Sequence, residues 1–235
     1  MLFLFLLLQY KTHCAIILCT KKTYFLEATM KITLLGDSIR MQYAPRVAEL
    51  LGTDFEVFSP KENGRFAKYT LRGLFDWRKD MRDSRIAHWN NGHWDINDLF
   101  GDGIFTSEEE YVANMLRIAD LLQKSHDVVI FATTTPVREE NPYNSNSVIL
   151  RYNDLIVPLL RERGVLINDL HTLLKDDINR YICEDLIHLT EEGLTLCAQR
   201  VTEIIRAEAE MLPTQKQSAE HQSSIEKQGA PVIFH

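Results

Sequence analysis

The 235-residue sequence predicts an α/β protein with a parallel sheet, and three observations carry the prediction. From Met30 onward, short apolar runs alternate with longer amphipathic stretches, the order expected of parallel strands joined by right-handed helical crossovers. The first apolar run, residues 31–35, stops abruptly in Gly36-Asp37-Ser38 before a helical pattern, as a buried strand feeding a strand-to-helix turn does. End signals agree with the pattern: Thr190 precedes Glu191 and Glu192 as an N-cap before acidic residues, and Gly164 follows Arg161 and Arg163 as a helix stop. The result is a flavodoxin-like, three-layer α/β/α sandwich around a five-stranded parallel sheet.

Taken in order, residues 1–29 open with Met1-Leu2-Phe3-Leu4-Phe5-Leu6-Leu7-Leu8, an apolar run resembling the core of a signal peptide. No basic residue precedes it, no small-residue cleavage site follows, and it is too short to span a bilayer. Met30 stands directly before the first strand, so residues 1–29 read as an extension from a misassigned start and the protein as cytoplasmic; export is the alternative. Strands are predicted at 31–35, 55–58, 85–89, 128–132 and 165–167, with helices at 43–51, 70–82, 107–124, 147–163 and 190–211. Residues 30–211 thus form one domain. Residues 212–235, rich in Gln, Ser, Lys and Glu, read as a disordered tail.

Composition narrows the function. A chain that is 45% hydrophobic and 25% charged supports one core, and its net charge of −7 with no basic block argues against nucleic acid as partner. Neither stable membrane insertion nor a cofactor is expected. The four cysteines, Cys14, Cys19, Cys183 and Cys197, contain no C-x-x-C pair, so no disulfide framework is expected. Cys183 lies near Asp185 and His188, but structural zinc sites use two paired ligand motifs; a packed thiol, and no metal, is the reading.

In an open parallel sheet, ligands bind beyond the carboxyl ends of the strands, where Gly36-Asp37-Ser38, Glu62-Asn63-Gly64-Arg65, the run from Asn90 to Asp95, and Thr133-Thr134-Thr135-Pro136 all fall. A serine hydroxyl becomes a useful nucleophile only beside a base whose tautomer is fixed. His188 and Asp185, three residues apart near the far end of the chain, match those two roles. Attack also builds a negative oxygen that needs donors, for which the Ser38 N–H, the Gly64 N–H and a side-chain amide from Asn90 or Asn91 are candidates.

Each residue has a plainer use. Ser38 can cap the following helix, Asp185 can close an Asx-turn, and Asn90 and Asn91 can serve a turn before Gly92. Trp77, Trp89, Trp94, His88, His93 and Arg40 read as structural, although the tryptophans, His93 and Arg40 are also candidate substrate contacts.

The order of these blocks resembles that of the SGNH, or GDSL-like, hydrolases over residues 30–211: Gly-Asp-Ser near the start, a glycine after the second strand, an asparagine after the third, and Asp-x-x-His before the last helix. The resemblance implies metal-free ester hydrolysis with Ser38 as nucleophile, His188 as base then acid, and Asp185 orienting His188. It places Ser38, Gly64 and an asparagine in the oxyanion hole. Two departures stand out: the usual Gly-x-Asn-Asp block is here Asn90-Asn91-Gly92-His93-Trp94-Asp95, and Glu62-Asn63-Gly64 lacks the more typical serine-glycine that follows. Asn90, at the strand end, is preferred over Asn91. The expected substrate is a small-molecule ester with an acetyl-like acyl group on a carbohydrate or other polar alcohol. A lipase or acyltransferase using the same residues, or a non-catalytic module binding an anion at the helix start, are the rivals.

Overall fold

The computed structural model describes residues 29–213. The expected N-terminal extension, apart from Thr29, and nearly all of the expected tail lie outside them, as do Cys14 and Cys19. Five parallel strands, β1 (Met30–Leu35), β2 (Phe55–Phe58), β3 (Ile86–Trp89), β4 (Val128–Ala132) and β5 (Leu166–Asn168), form one sheet in the order β2-β1-β3-β4-β5. Helices α1 (Ser38–Leu51), α2 (Ala67–Asp76), α3 (Glu108–Gln123) and α4 (Asn146–Glu162) connect them, followed by α5 (Leu170–Leu174), α6 (Ile178–Tyr181) and α7 (Glu191–Met211). No helix among the described residues is long and apolar enough to cross a membrane.

The central strands β1, β3 and β4 are buried on both faces, which is why they read as continuous apolar runs rather than alternating ones. Ile32, Leu34, Ile86, Ile130 and Ala132 pack with α1 and α7 on one face, while Leu35, Ala87, Trp89, Val129 and Phe131 pack with α2, α3 and α4 on the other. Register aligns Leu35 with Trp89 and Trp89 with Phe131, so the strand ends that carry the polar clusters finish level. One edge of the sheet therefore collects all of them.

The boundaries differ from expectation where distant residues set them. Helix α1 starts at Ser38 rather than 43, because the Asp37 side chain accepts the Ile39 N–H at 3.0 Å and caps it. Helix α2 starts at Ala67 rather than 70 and ends at Asp76 rather than 82. At its end, Trp77 folds its ring back over Gly73, where an added Cβ would lie 2.3 Å from the ring. The short helices α5 and α6 carry too few residues for a periodic signal, and β5 runs one residue later than expected, to Asn168.

At its start, α2 has no capping side chain of its own, yet the Asp95 carboxylate, 28 residues away, accepts the Ala67 N–H with both oxygens at 3.1 and 3.0 Å. This ties the loop after β3 to the loop after β2. Burial pushes the Asp95 carboxyl from 3.8 up to about 7, with the Ala67 N–H and the Thr106 hydroxyl only partly opposing.

A raised carboxyl pKa favours the protonated folded state, so this group's contribution is complete below pH 3.8 and is lost as pH rises through about 7. The stability difference between the native chain and Asp95→Asn should therefore shift against the native chain between pH 4 and 8, by up to a few kcal/mol. Urea unfolding of both proteins across that range checks it. A pH-independent difference would mean that Asp95 titrates as an exposed carboxylate does.

Candidate active site

The turn after β1 is built so that its serine is left unused by the scaffold. Asp37, fully buried, takes the capping role: its Oδ1 accepts both the Ile39 N–H at 3.0 Å and an Asn90 amide hydrogen at 2.8 Å. Burial drives the Asp37 carboxyl above its ordinary value, against the lowering influence of Asn90, Ile39, Arg40 and His188. Ser38 becomes the first helical residue, with a backbone N–H that has no partner inside the helix by position. Gly36 adopts φ 144°, and a Cβ there would stand 1.9 Å from Asn90 Oδ1, so only glycine lets Asn90 lie across the turn.

The second half of the site comes from the segment before α7. Asp185 divides its two oxygens between two tasks. Oδ1 accepts the backbone N–H groups of Ile187 (3.2 Å) and His188 (2.9 Å), closing an Asx-turn around Leu186 at φ 76°, and Oδ2 faces His188 Nδ1 at 2.7 Å. Asp185 thus closes its own turn and faces the His188 ring at once. Partial burial raises the Asp185 carboxyl, but the hydrogen bonds from the His188 N–H, the His188 ring and the Ile187 N–H outweigh it and hold the group below its ordinary value. A carboxylate on Nδ1 places the ring proton there and leaves Nε2 as acceptor, and the Ser38 hydroxyl donates to Nε2 at 2.8 Å. Sequence separations of 150 and 3 residues are closed into one chain of hydrogen bonds.

Gln42, one turn into α1 from Ser38, fixes the histidine's neighbour: its Oε1 accepts the Leu189 N–H at 2.9 Å and its Nε2 donates to the Leu189 carbonyl at 3.3 Å. Nothing in the sequence pattern distinguishes Gln42 from any other surface glutamine. Arg40 is a second anchor. Its guanidinium, almost fully buried, donates to Ser59 Oγ (2.9 Å) and to the carbonyls of Pro60 (2.7 Å), Gly36 (3.0 Å) and Glu62 (2.7 Å), bracing the nucleophile turn against the loop after β2.

The candidate oxyanion donors are distributed differently from expectation. The Gly64 N–H donates to the Gly36 carbonyl at 2.8 Å, an approach so close that a Cβ on Gly64 would sit 2.7 Å from that oxygen. Gly64 in this structure holds the Ser38 turn instead of presenting its N–H. Asn91 donates to the Arg65 carbonyl (2.8 Å) and to Thr70 Oγ1 (3.0 Å), so both its amide hydrogens are engaged and the Asn91 alternative is set aside. Asn90 uses one hydrogen on Asp37 and retains the other. Aligning Gly92 and Asp95 with a Gly-x-Asn-Asp block puts Trp94 at the asparagine position, and its side chain is partly exposed at 37%.

The remaining candidates sort by burial. Trp77 and Trp89 belong to the core. His88 accepts from Asn168 Nδ2 at 3.0 Å and His93 pairs with Thr135 Oγ1 at 2.9 Å, and burial pushes both imidazoles down to about 3, which keeps them neutral. The Cys183 thiol donates to the Leu189 carbonyl at 3.1 Å and so packs as an ordinary thiol. Among the described residues no cluster of three His, Cys, Asp or Glu side chains is placed to hold a metal ion.

Compared by sequence, the chain matches no family model and no curated protein. Compared by structure, it is similar to a lipolytic protein of the G-D-S-L family from Veillonella parvula, with a TM-score of 0.60 at 21% identity, covering 74% of this chain and 97% of that one. A lipase/acylhydrolase from Enterococcus faecalis gives a TM-score of 0.64 at 15% identity, covering 76% and 96% of the two chains. An acetylxylan esterase from Geobacillus stearothermophilus gives 0.61 at 14% identity, covering 74% and 93%. What such likenesses establish is architecture: this chain has the fold of the SGNH, or GDSL-like, hydrolases.

Proposed function

We propose that the protein is a serine esterase that removes a small, acetyl-like acyl group from a carbohydrate or similar polar alcohol. The observation that carries this reading is the continuous hydrogen-bond chain from Ser38 Oγ through His188 to Asp185, at 2.8 and 2.7 Å. An anion-binding turn would need neither His188 nor Asp185. The acyl-ester chemistry named for the structural neighbours, acetylxylan among their substrates, supports the choice of acyl group and alcohol.

In this reading Ser38 Oγ attacks the ester carbonyl carbon while its proton passes to His188 Nε2, and the imidazolium formed is stabilised by Asp185. The carbonyl oxygen, now negative, is held by the Ser38 N–H at the positive end of α1 and by the free amide hydrogen of Asn90. Collapse of the tetrahedral species breaks the bond to the alcohol oxygen, which takes the proton from His188. Water then repeats the sequence on the acyl-serine, releasing the carboxylic acid and restoring Ser38.

Purified protein should turn over p-nitrophenyl acetate, and Ser38→Ala should lower that turnover by roughly a thousandfold or more. A fluorophosphonate should label Ser38 in the native chain and leave His188→Ala unlabelled, because removal of the base leaves an ordinary hydroxyl. Labelling mapped by mass spectrometry to a different serine would defeat the assignment.

The oxyanion role of Asn90 makes a separate expectation. Asn90→Ala should lower kcat by about a hundred- to a thousandfold with little change in KM, since the amide meets full negative charge only in the transition state. Steady-state kinetics on folded protein, with Tm measured alongside, check it. A change confined to KM or to Tm would leave Asn90 as a brace for Asp37 and nothing more.

A further inference from the structure

Directly after Gly64, Arg65 occupies left-handed backbone at φ 49°, a region that glycine enters at little cost and arginine does not. Two side chains hold it there: Asn63 Oδ1 accepts the Arg65 N–H at 2.7 Å, and Asn91 Nδ2 donates to the Arg65 carbonyl at 2.8 Å. A glycine would relieve the backbone but would lack a side chain. The exposed guanidinium has no ion-pair or hydrogen-bond partner among the described residues and meets the fold through two aromatic rings. It stands 4.9 Å from the Tyr69 ring centre and 6.0 Å from that of Trp94, both partly open to solvent. Glu62, three residues before Arg65, accepts from the Tyr69 hydroxyl at 3.1 Å and makes no ion pair with Arg65.

The position is adjacent to the reaction centre. Gly64, covalently joined to Arg65, bonds to the carbonyl of Gly36, two residues before Ser38. A cation on a pinned backbone, without an ion-pair or hydrogen-bond partner among the described residues and laid over two aromatic rings beside the turn that carries Ser38, can bind an anionic group in fork geometry while the rings take the flat face of a sugar.

We propose that Arg65, with Tyr69 and Trp94, recognises a negatively charged group, carboxylate or phosphate, on the alcohol half of the ester, so that the substrate is an O-acylated acidic sugar. The inference rests on the esterase reading above: an acetyl group carries no charge, so the anion belongs to the alcohol. It adds that the protein selects acidic over neutral acylated sugars and that Arg65 makes the selection.

The test separates binding from turnover by using Ser38→Ala protein, which retains the ledge. Isothermal titration compares an O-acetylated hexuronate, an O-acetylated hexose phosphate and the neutral O-acetylated hexoside. At least one anionic ligand should bind tenfold or more tighter than the neutral one, with the preference weakening as salt rises, and the better of the two identifies the anion. In Ser38→Ala/Arg65→Ala and Ser38→Ala/Arg65→Gln the ratio should fall to about one, whereas Arg65→Lys should keep part of it because a point charge lacks the fork. Equal affinity for charged and neutral ligands, no binding of any of them, or a preference that survives both Arg65 replacements would overturn the proposal. If the native chain cleaves p-nitrophenyl acetate but Ser38→Ala shows no preference, the Arg65 inference fails and the esterase reading stands. If the preference is present while the native chain cleaves no ester, the esterase reading fails and Arg65 remains an anion site.

Discussion

The buried guanidinium of Arg40 is the point on which the site's geometry depends. Two loops, after β1 and after β2, must meet at the sheet edge, and each turns carbonyl groups inward where water does not reach. Arg40 answers three of those carbonyls and the Ser59 hydroxyl, with no carboxylate at ion-pair distance among the described residues. Burying such a charge costs several kcal/mol, while hydrogen bonds to a charged donor return about 1.5–3 kcal/mol each. Four of them offset the burial, so the net contribution is small and the effect is mostly specification of one loop arrangement. The Gly64 N–H on the Gly36 carbonyl and the Asp95 carboxylate on the Ala67 N–H extend the same lattice on either side.

Around this frame, scaffold and chemistry are divided between neighbouring residues. Asp37 caps α1, and Ser38 is therefore free to face His188. Asp185 gives one oxygen to its own turn and the other to the imidazole ring, so the loop shape and the tautomer are set by a single side chain. Gln42 ties the residue after His188 back to α1, the helix that begins with Ser38. The two halves of the hydrogen-bond chain, far apart in sequence, are held by contacts made at both ends of α1 and α7, the pair of helices that cover one face of the sheet.

What was legible in the sequence follows from how local each signal is. The central strands show as apolar runs because both faces are buried, and alternation with helices makes the sheet parallel. Ser38, Asp185 and His188 stand out by residue type and by the order of their blocks. The start of α2 does not, since its cap comes from Asp95 across 28 residues and no local residue announces it. The asparagines show the same limit: a polar pair at a strand end marks a site edge, but which amide hydrogens remain depends on Thr70 and on the Arg65 carbonyl, both distant in sequence. Arg65 reads as one more charged loop residue until its φ and its unpaired guanidinium are seen together.

With Gly64 and Asn91 engaged in bracing, the esterase reading leaves the Ser38 N–H at the start of α1 and one amide hydrogen of Asn90 as the donors for a negative oxygen. A helix N-terminus brings roughly half a positive charge to the Ser38 N–H, which helps an oxygen that turns negative beside it. Behind Asn90, however, lies the Asp37 carboxyl, and an ionised carboxylate there would oppose the same negative oxygen. Burial acts against that opposition by driving the Asp37 carboxyl upward, toward its neutral form. The Asn90 amide donates one hydrogen to Asp37, and a charged Asp37 would make its other hydrogen a weaker donor. In the esterase reading, the upward push that burial gives the Asp37 carboxyl therefore works with a short list of donors, because it weakens the opposition that a buried acid beside Ser38 offers to a negative oxygen.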